Sequence, residues 1–503
     1  MPKYLLSIDN GGTNTKAVIF DTKGALIAVS SFPTPRIEPA EEQREVDTMQ
    51  AWESICRAIQ GVLKKAGLSG EDIACVTCVG HGKGLYAFDA KGKPVRNGIL
   101  STDNRAWKYV EEWNENGVAE QARKLSKQSV LSMQAPPLLR WIKDNEPENY
   151  ARINYIFEAK DYVRFMLTGE AYNEITDYSG TNLMNLDTVS FDESLFELFG
   201  ISEMFAATSQ LRKCTDLCGT VSAEAAAFTG LREGTPVAGG MFDIDACAVA
   251  MNVLTEDHLC VIAGTWSINE YISKMPVTDG SVLMNSMFCR EPYFLVEECS
   301  PTSAGNLDIF INLFAAELVA KAKATGQSVF DLANELVSAT DPASHGIVFL
   351  PFLYGSNIGL QAKASLVGVL SHHTQGQILQ AVYEGVVFSH RYHIEKLLSS
   401  KKTPTKTIRL AGGAVRSAVW VQIFADVLQY PIEIVEVDEL GTLGGAMASA
   451  VAAGIYENLS AASMNMTTIR DIIYPNEKRI ELYDQKYMRY KKTAEALLSV
   501  WDL

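Results

Sequence analysis

YLLSIDNGGTNTKAVIFD, residues 4–21, is the stretch that decides the fold. An apolar run at residues 4–8 ends in the turn Asn10-Gly11-Gly12-Thr13-Asn14, and residues 17–21 return as a second apolar run. Another turn, Lys23-Gly24, leads into a third run at residues 25–30, so the spacing predicts an antiparallel meander. A dinucleotide-binding glycine turn feeds a helix, whereas Lys16-Ala17-Val18-Ile19-Phe20 is β-branched and aromatic, which argues against a Rossmann reading. The chain also lacks the P-loop pattern of two glycines separated by four residues and followed by Lys and Ser or Thr. Any phosphate bound here must be gripped by hairpins.

Working outward, the periodicity predicts an amphipathic helix over 48–66, a buried strand over 73–79 and a long, mainly helical region over 106–199. Near the middle the opening pattern recurs: a strand at 259–263, a Gly264-Thr265 turn and a returning strand at 267–272. Two halves that each open on a Gly-Thr hairpin point to an internal duplication hinged between residues 248 and 256. The length agrees, because 503 residues exceed what one hydrophobic core organises. The expected domains are 1–249 and 250–503.

With a net charge of −16 the chain is a poor match for nucleic acid or an anionic membrane. No apolar run is long enough to span a bilayer and residues 1–9 carry no cleavable signal, so a cytoplasmic location is expected. Nine cysteines, scattered and odd in number, fit a reduced compartment. Cys75 and Cys78 lie in the apolar strand IACVTCVG with no second CxxC or histidine cluster, so a core role is expected in place of zinc binding. His81, the His372-His373 pair and the His390/His393 pair are read as structural for the same reason.

Three motifs carry chemistry. In Asp9-Asn10-Gly11-Gly12-Thr13-Asn14-Thr15-Lys16 the glycines let backbone amides approach phosphate oxygens, Thr13 and Asn14 add donors, Lys16 adds charge, and Asp9 can hold a magnesium hydration shell. In Gly239-Gly240-Met241-Phe242-Asp243-Ile244-Asp245 a carboxylate follows a Gly-Gly turn and precedes a small-residue helix start, where it could take a hydroxyl proton. Asp243 is the chosen base, Asp245 the runner-up, and a helix N-cap the bland alternative. In Leu410-Ala411-Gly412-Gly413-Ala414-Val415-Arg416-Ser417 a strand ending in Gly-Gly exposes amides beside a gap suited to adenosine or a diphosphate. Gly441-Thr442-Leu443-Gly444-Gly445-Ala446 reads as a small-residue helix packed closely on a neighbour.

Taken in order, DNGGTNTKAVIFD, GHGKGLYAFD, LSTDNRA, DYVRFMLTG, GTPVAGGMFDIDACA, AGTWS, PFLYGSN, YEGVVFSH and LAGGAVRSAVWVQIFADV resemble the FGGY carbohydrate kinases over essentially the whole chain, most closely the bacterial L-xylulose kinase and xylulokinase branch. The resemblance implies an α/β fold of two ribonuclease-H-like, actin-like ATPase domains with a cleft between them, ATP and Mg2+ as cofactors, and a small sugar or polyol as the partner. It implies that Asp9 serves the magnesium through water, that Thr13, Asn14 and Lys16 form the first phosphate hairpin, and that Gly264 and Thr265 form the second. Gly412, Gly413 and Ser417 fall on its adenosine side, and Asp243 on its catalytic base. The substrate side would be lined by Gly82, Lys83, Asp103, Asp243 and Asp245, and a homodimer is the candidate assembly.

The departures from the family pattern fall on that substrate side. Gly82-Lys83 stands where xylulokinases carry a Met-His pair and glycerol kinases an Arg-Glu pair, Ile244 follows the base in place of Asn or Gln, and Leu138 stands where Lys is usual. The phosphoryl chemistry is expected to survive them, with a ketopentose of L-xylulose type as the expected acceptor and another polyol or sugar (erythritol, D-xylulose, ribulose, glycerol or gluconate) as the alternative. The competing readings are a sugar-sensing ATPase switch on the same scaffold, for which no basic helix-turn-helix pattern is found, and a nicotinamide dehydrogenase, disfavoured by the strand after the first glycine turn.

Overall fold

The computed structural model describes residues 3–264, 266–353, 355–356, 358–359 and 362–501. The chain divides into two compact units, the first comprising residues 1–254, 272–296 and 437–467 and the second 255–271, 297–436 and 468–503.

The opening stretch forms the expected meander. Strands Tyr4–Asn10, Asn14–Asp21 and Leu26–Pro33 pair antiparallel in sequence. Two of them outrun their apolar runs, because the ladder continues through Asp9↔Lys16 and Asn10↔Thr15 after the apolar residues end, although Asn10 and Thr15 remain buried. Hydrophobic pattern marks the apolar part of a strand, whereas pairing persists wherever backbone groups find partners. Strand Ile73–Gly80 then joins the other side of Tyr4–Asn10 in parallel, with Pro236–Ala238 beyond it.

This sheet is covered on both faces, which explains why its strands read as nearly continuous apolar runs. Leu6, Ile8, Ala17 and Ile19 face helix Thr48–Ala66, whose buried stripe includes Ala51, Trp52, Ile55, Ile59 and Val62. That helix starts where the Asp47 carboxylate accepts from the Met49 and Gln50 amides and stops at Gly67 in the left-handed region. On the opposite face Leu5, Val18, Phe20 and Val79 pack against helices Asp243–Ala250 and Leu440–Ala452. A Cβ on Gly444 would strike the Ala246 carbonyl oxygen, and one on Gly445 would lie 2.9 Å from Val79 Cγ1. The small-residue helix therefore works by close approach, as its composition predicts. Cys75 and Cys78 point to these two opposite faces, and burial pushes both thiols up to about 12, so they form neither a redox nor a ligand pair.

The region 106–199 is helical as expected, with Trp107–Glu115, Val118–Ser126, Ala135–Asn145 and Ala159–Thr168 as its longer elements. Short strands interrupt it, among them Tyr155–Phe157, which pairs with Tyr86–Phe88.

The second unit repeats the strand plan. His258–Ala263 and Ser267–Ser273 form an antiparallel hairpin, and Phe294–Ser300 lies beyond the second of them. Thr407–Ala411 joins the first in parallel, followed by Ile432–Val435. In both sheets the first strand of the hairpin pairs antiparallel with the second and parallel with a later strand, Ile73–Gly80 in one and Thr407–Ala411 in the other. Among the described residues no helix is long and apolar enough to cross a membrane.

Candidate active site

In the first unit three strand ends meet. The register sets Asp9 beside Val79 and Asn10 beside Gly80, and the short strand Met241–Phe242 adds Phe242 beside Gly80. Because all three run parallel, their carboxyl ends deliver Asp9, the His81-Gly82-Lys83 turn and Asp243 to one place. This is where open α/β sheets present ligand-binding groups. Asp243 is the first residue of helix Asp243–Ala250 and is half-buried.

The sequence reading weighs Asp243 against Asp245 on an extended segment. The segment is helical from Asp243, so residues two apart diverge around the axis. Asp245 turns inward, 0% exposed, and its Oδ1 accepts the Cys289 amide at 2.9 Å. Asp103 does not join the group either. It is 0% exposed and holds the Arg105 guanidinium at 2.8–3.1 Å while accepting the Arg44 amide at 2.6 Å.

Charge is concentrated around Asp243. Burial, then the neighbouring Asp9 and Asp177, push its carboxyl well above the usual range, with Lys83 opposing. Burial pushes Asp9 up to about 6, with Lys16 opposing and Glu439 adding to the rise. Lys16, opposite Asp9 on the ladder, is held by Glu439 at 2.8 Å. Lys83 occupies the left-handed region at φ 66°, an uncommon and costly setting for a side-chain-bearing residue, and its Nζ lies 5.0 Å from the centre of the Phe242 ring. Beside it, Gly82 is required by its surroundings, because a Cβ there would fall 2.6 Å from Phe242 Cε2 and 2.7 Å from Asp177 Oδ1. Thr13 and Asn14 are exposed at the hairpin tip. His81 is buried and lowered to about 4 by burial, a neutral structural ring as expected.

A buried ionic scaffold fixes the base. Lys160 Nζ lies 3.2 Å from Asp161, 3.4 Å from Glu174 and 3.3 Å from Asp177. Glu174 accepts the Thr176 hydroxyl at 2.6 Å, and that hydroxyl accepts the Phe242 amide at 3.0 Å, one residue before Asp243. Arg164 bonds Asp161 at 2.7 Å and the Gly239 carbonyl at 2.6 Å, tying down the Gly-Gly turn. Sequence reasoning missed this scaffold and Glu439. The signal was present in EAKDYVRFML, residues 158–167, where charged residues interrupt an otherwise apolar helix.

In the second unit, strands His258–Ala263 and Thr407–Ala411 end side by side, Ile262 opposite Ala411. A Cβ on Gly412 would lie 2.9 Å from the Gly264 nitrogen, so these two predicted residues adjoin, while Gly413 borders open space. Thr265 lies outside the described residues. Ser417 caps helix Ala418–Leu428 by accepting the Trp420 amide at 3.2 Å and donates to Asn334 at 2.6 Å. His390 is buried between Asn269, Ser267 and Ser303, and His393 binds Glu298 at 3.0 Å, which gives both a structural role.

Two family descriptions match the chain: the N-terminal domain of the FGGY family of carbohydrate kinases over residues 4–250, and its C-terminal domain over 259–453. The chain belongs to the FGGY family of carbohydrate kinases. Among relatives, it is 35% identical to the L-xylulose/3-keto-L-gulonate kinase of Escherichia coli K12, covering 99% of this chain and 98% of that one. It is 34% identical to a probable L-xylulose kinase of Haemophilus influenzae, covering 98% and 99%. The crystal structure of xylulose kinase from Rhodospirillum rubrum superposes with a TM-score of 0.88 at 23% identity, covering all of both chains, which establishes the two-domain actin-like fold. As an FGGY carbohydrate kinase the protein phosphorylates a sugar with ATP.

Proposed function

We propose that this kinase transfers the terminal phosphoryl group of ATP to a hydroxyl of a ketopentose of L-xylulose type, with Asp243 as the base. The observation that carries the reading is the convergence of Asp9, Lys83 and Asp243 at three parallel strand ends, with Asp243 half-buried and held from behind. The names of the relatives supply the sugar. Asp243 takes the proton of the attacking hydroxyl, and Lys83, a donor-only cation, faces a carbonyl or hydroxyl oxygen of the acceptor. Within the first unit, Lys16, Thr13 and Asn14 serve phosphate oxygens; within the second, Gly264, Thr265, Gly412, Gly413 and Ser417 are the nucleotide candidates.

Magnesium fits the donor set. Asp9 offers a hard oxygen donor, and among the described residues no three His, Cys, Asp or Glu side chains form a metal cage. A hydrated ion shared between one carboxylate and substrate phosphates needs no such cage. Bound there, it would neutralise phosphate charge.

Two variants test the division of labour. Lys83→Met is expected to raise the KM of the sugar far more than that of ATP, since a buried polar group left unpaired costs about 1–3 kcal/mol. Thr13→Val removes a hydroxyl at nearly constant volume and is expected to weaken ATP binding more than sugar binding in calorimetry. A Lys83→Met enzyme with unchanged sugar KM would remove Lys83 from the acceptor site, and unchanged nucleotide affinity in Thr13→Val would remove the first hairpin from the phosphates.

A further inference from the structure

Lys16, the cation that the first hairpin offers to phosphate, already has a partner. Its Nζ donates to Glu439 Oε2 at 2.8 Å, across 423 positions of the chain. The two side chains are 33% and 20% exposed, and an ion pair so open to water adds little to stability, so the fold has small need of it. Glu439 also forgoes the ordinary local use of its carboxylate. It stands at the N-cap of helix Leu440–Ala452, where a carboxylate commonly accepts the amides of the first turn, but its side chain makes no capping bond and reaches Lys16 instead.

The pair lies at the end of the first sheet that carries Asp9 and Asp243. Asp9 and Lys16 are direct cross-strand partners, so their side chains share a face. Close packing brings the start of helix Leu440–Ala452 to the same place. A Cβ on Gly441 would lie 3.8 Å from Cys247 Sγ, about one helical turn beyond Asp243, and one on Gly444 would strike the Ala246 carbonyl oxygen. Lys16 is therefore the one cation of a trio with two carboxylates, Asp9 across the ladder and Glu439 from the helix.

We propose that Glu439 makes the first hairpin selective for metal-bound over metal-free nucleotide. The inference rests on the reading of Lys16 as a phosphate ligand and deepens it. A metal-free nucleotide that engages Lys16 must draw the ammonium away from Glu439, which leaves two carboxylates facing phosphate oxygens. Like charges brought together in this way lower affinity. When the phosphates carry magnesium, the same two carboxylates face a neutralised group, and the repulsion is gone. Glu439 is a specificity residue that acts through Lys16, whereas Asp243 performs the proton transfer.

The test is calorimetry of ADP binding to the full chain in excess magnesium and in EDTA, at mildly alkaline pH, above the value of about 6 for Asp9. ADP replaces ATP so that no turnover enters the measurement. The wild type is expected to bind the magnesium form at least about 10-fold more tightly than the metal-free form. Glu439→Gln, which keeps the shape and removes the charge, is expected to tighten metal-free ADP about 10-fold and to leave the magnesium form within about 2-fold. Glu439→Asp keeps the charge and is expected to keep the preference. Lys16→Met leaves both carboxylates unopposed and is expected to widen the preference, which carries the test if Glu439→Gln does not fold. A wild type with equal affinity in both buffers overturns the proposal. So does a Glu439→Gln protein whose preference is unchanged, or whose two affinities fall alike, the mark of a merely structural pair. Wild-type affinity for neither form would instead overturn the reading of the first hairpin as a phosphate site, and this inference with it.

Discussion

Asp243→Asn is expected to lower kcat by about 10²- to 10⁴-fold, the range a general base contributes, while the affinities for ATP and sugar stay close to wild type. The substitution keeps the shape of the first helical residue and removes only the capacity to take a proton. Because Asp9 and Asp177 both bear on this carboxyl, loss of its charge relieves repulsion, so ground-state binding has no reason to weaken. Asp245→Asn separates the two candidates. That carboxylate is buried and committed to the Cys289 amide, so its loss should appear in stability before turnover. Near wild-type kcat in Asp243→Asn, with collapse in Asp245→Asn, would reverse the assignment.

Lys160→Met is expected to be the most destabilising single change in the first unit. It leaves Asp161, Glu174 and Asp177 around an apolar chain at full burial, and breaking a buried ionic cluster from one side costs about 3–5 kcal/mol. The expected fall in Tm is on the order of 10 °C by scanning calorimetry. Since Glu174 anchors Thr176 and Thr176 anchors the Phe242 amide, the folded remainder should also turn over more slowly. A Tm within about 2 °C of wild type would show that the scaffold does not depend on its lysine.

The elements built on local pattern were legible in the sequence. The helix over 48–66 has the predicted bounds because an Asp47 cap, an amphipathic stripe and a Gly67 stop agree with one another. The meander, its repeat at 258–273 and the close-packed helix at 440–452 were legible for the same reason. The site was legible only where a motif is contiguous. Asp9, Lys16 and Asp243 sit in glycine-punctuated runs, but Glu439 meets Lys16 across 423 positions, and nothing local to either residue announces the pair. Asp103 shows the converse. Its Asp-x-Arg spacing was compatible with a pocket wall or an ion pair, and only burial reveals that Arg105 and the Arg44 amide occupy it. Asp245 was ambiguous because the turn from strand to helix falls at Phe242, and a difference of one residue in that boundary changes which carboxylate points outward.

The central claim is sugar-dependent phosphoryl transfer by this chain, and coupled ADP release tests it most directly. Purified protein with magnesium and ATP would be offered L-xylulose, D-xylulose, D- and L-ribulose, erythritol, glycerol and gluconate in turn. The account predicts ADP release that depends on sugar, is fastest in kcat/KM with L-xylulose and disappears in Asp243→Asn. Equal ADP release with and without every sugar, unchanged in Asp243→Asn, would contradict it.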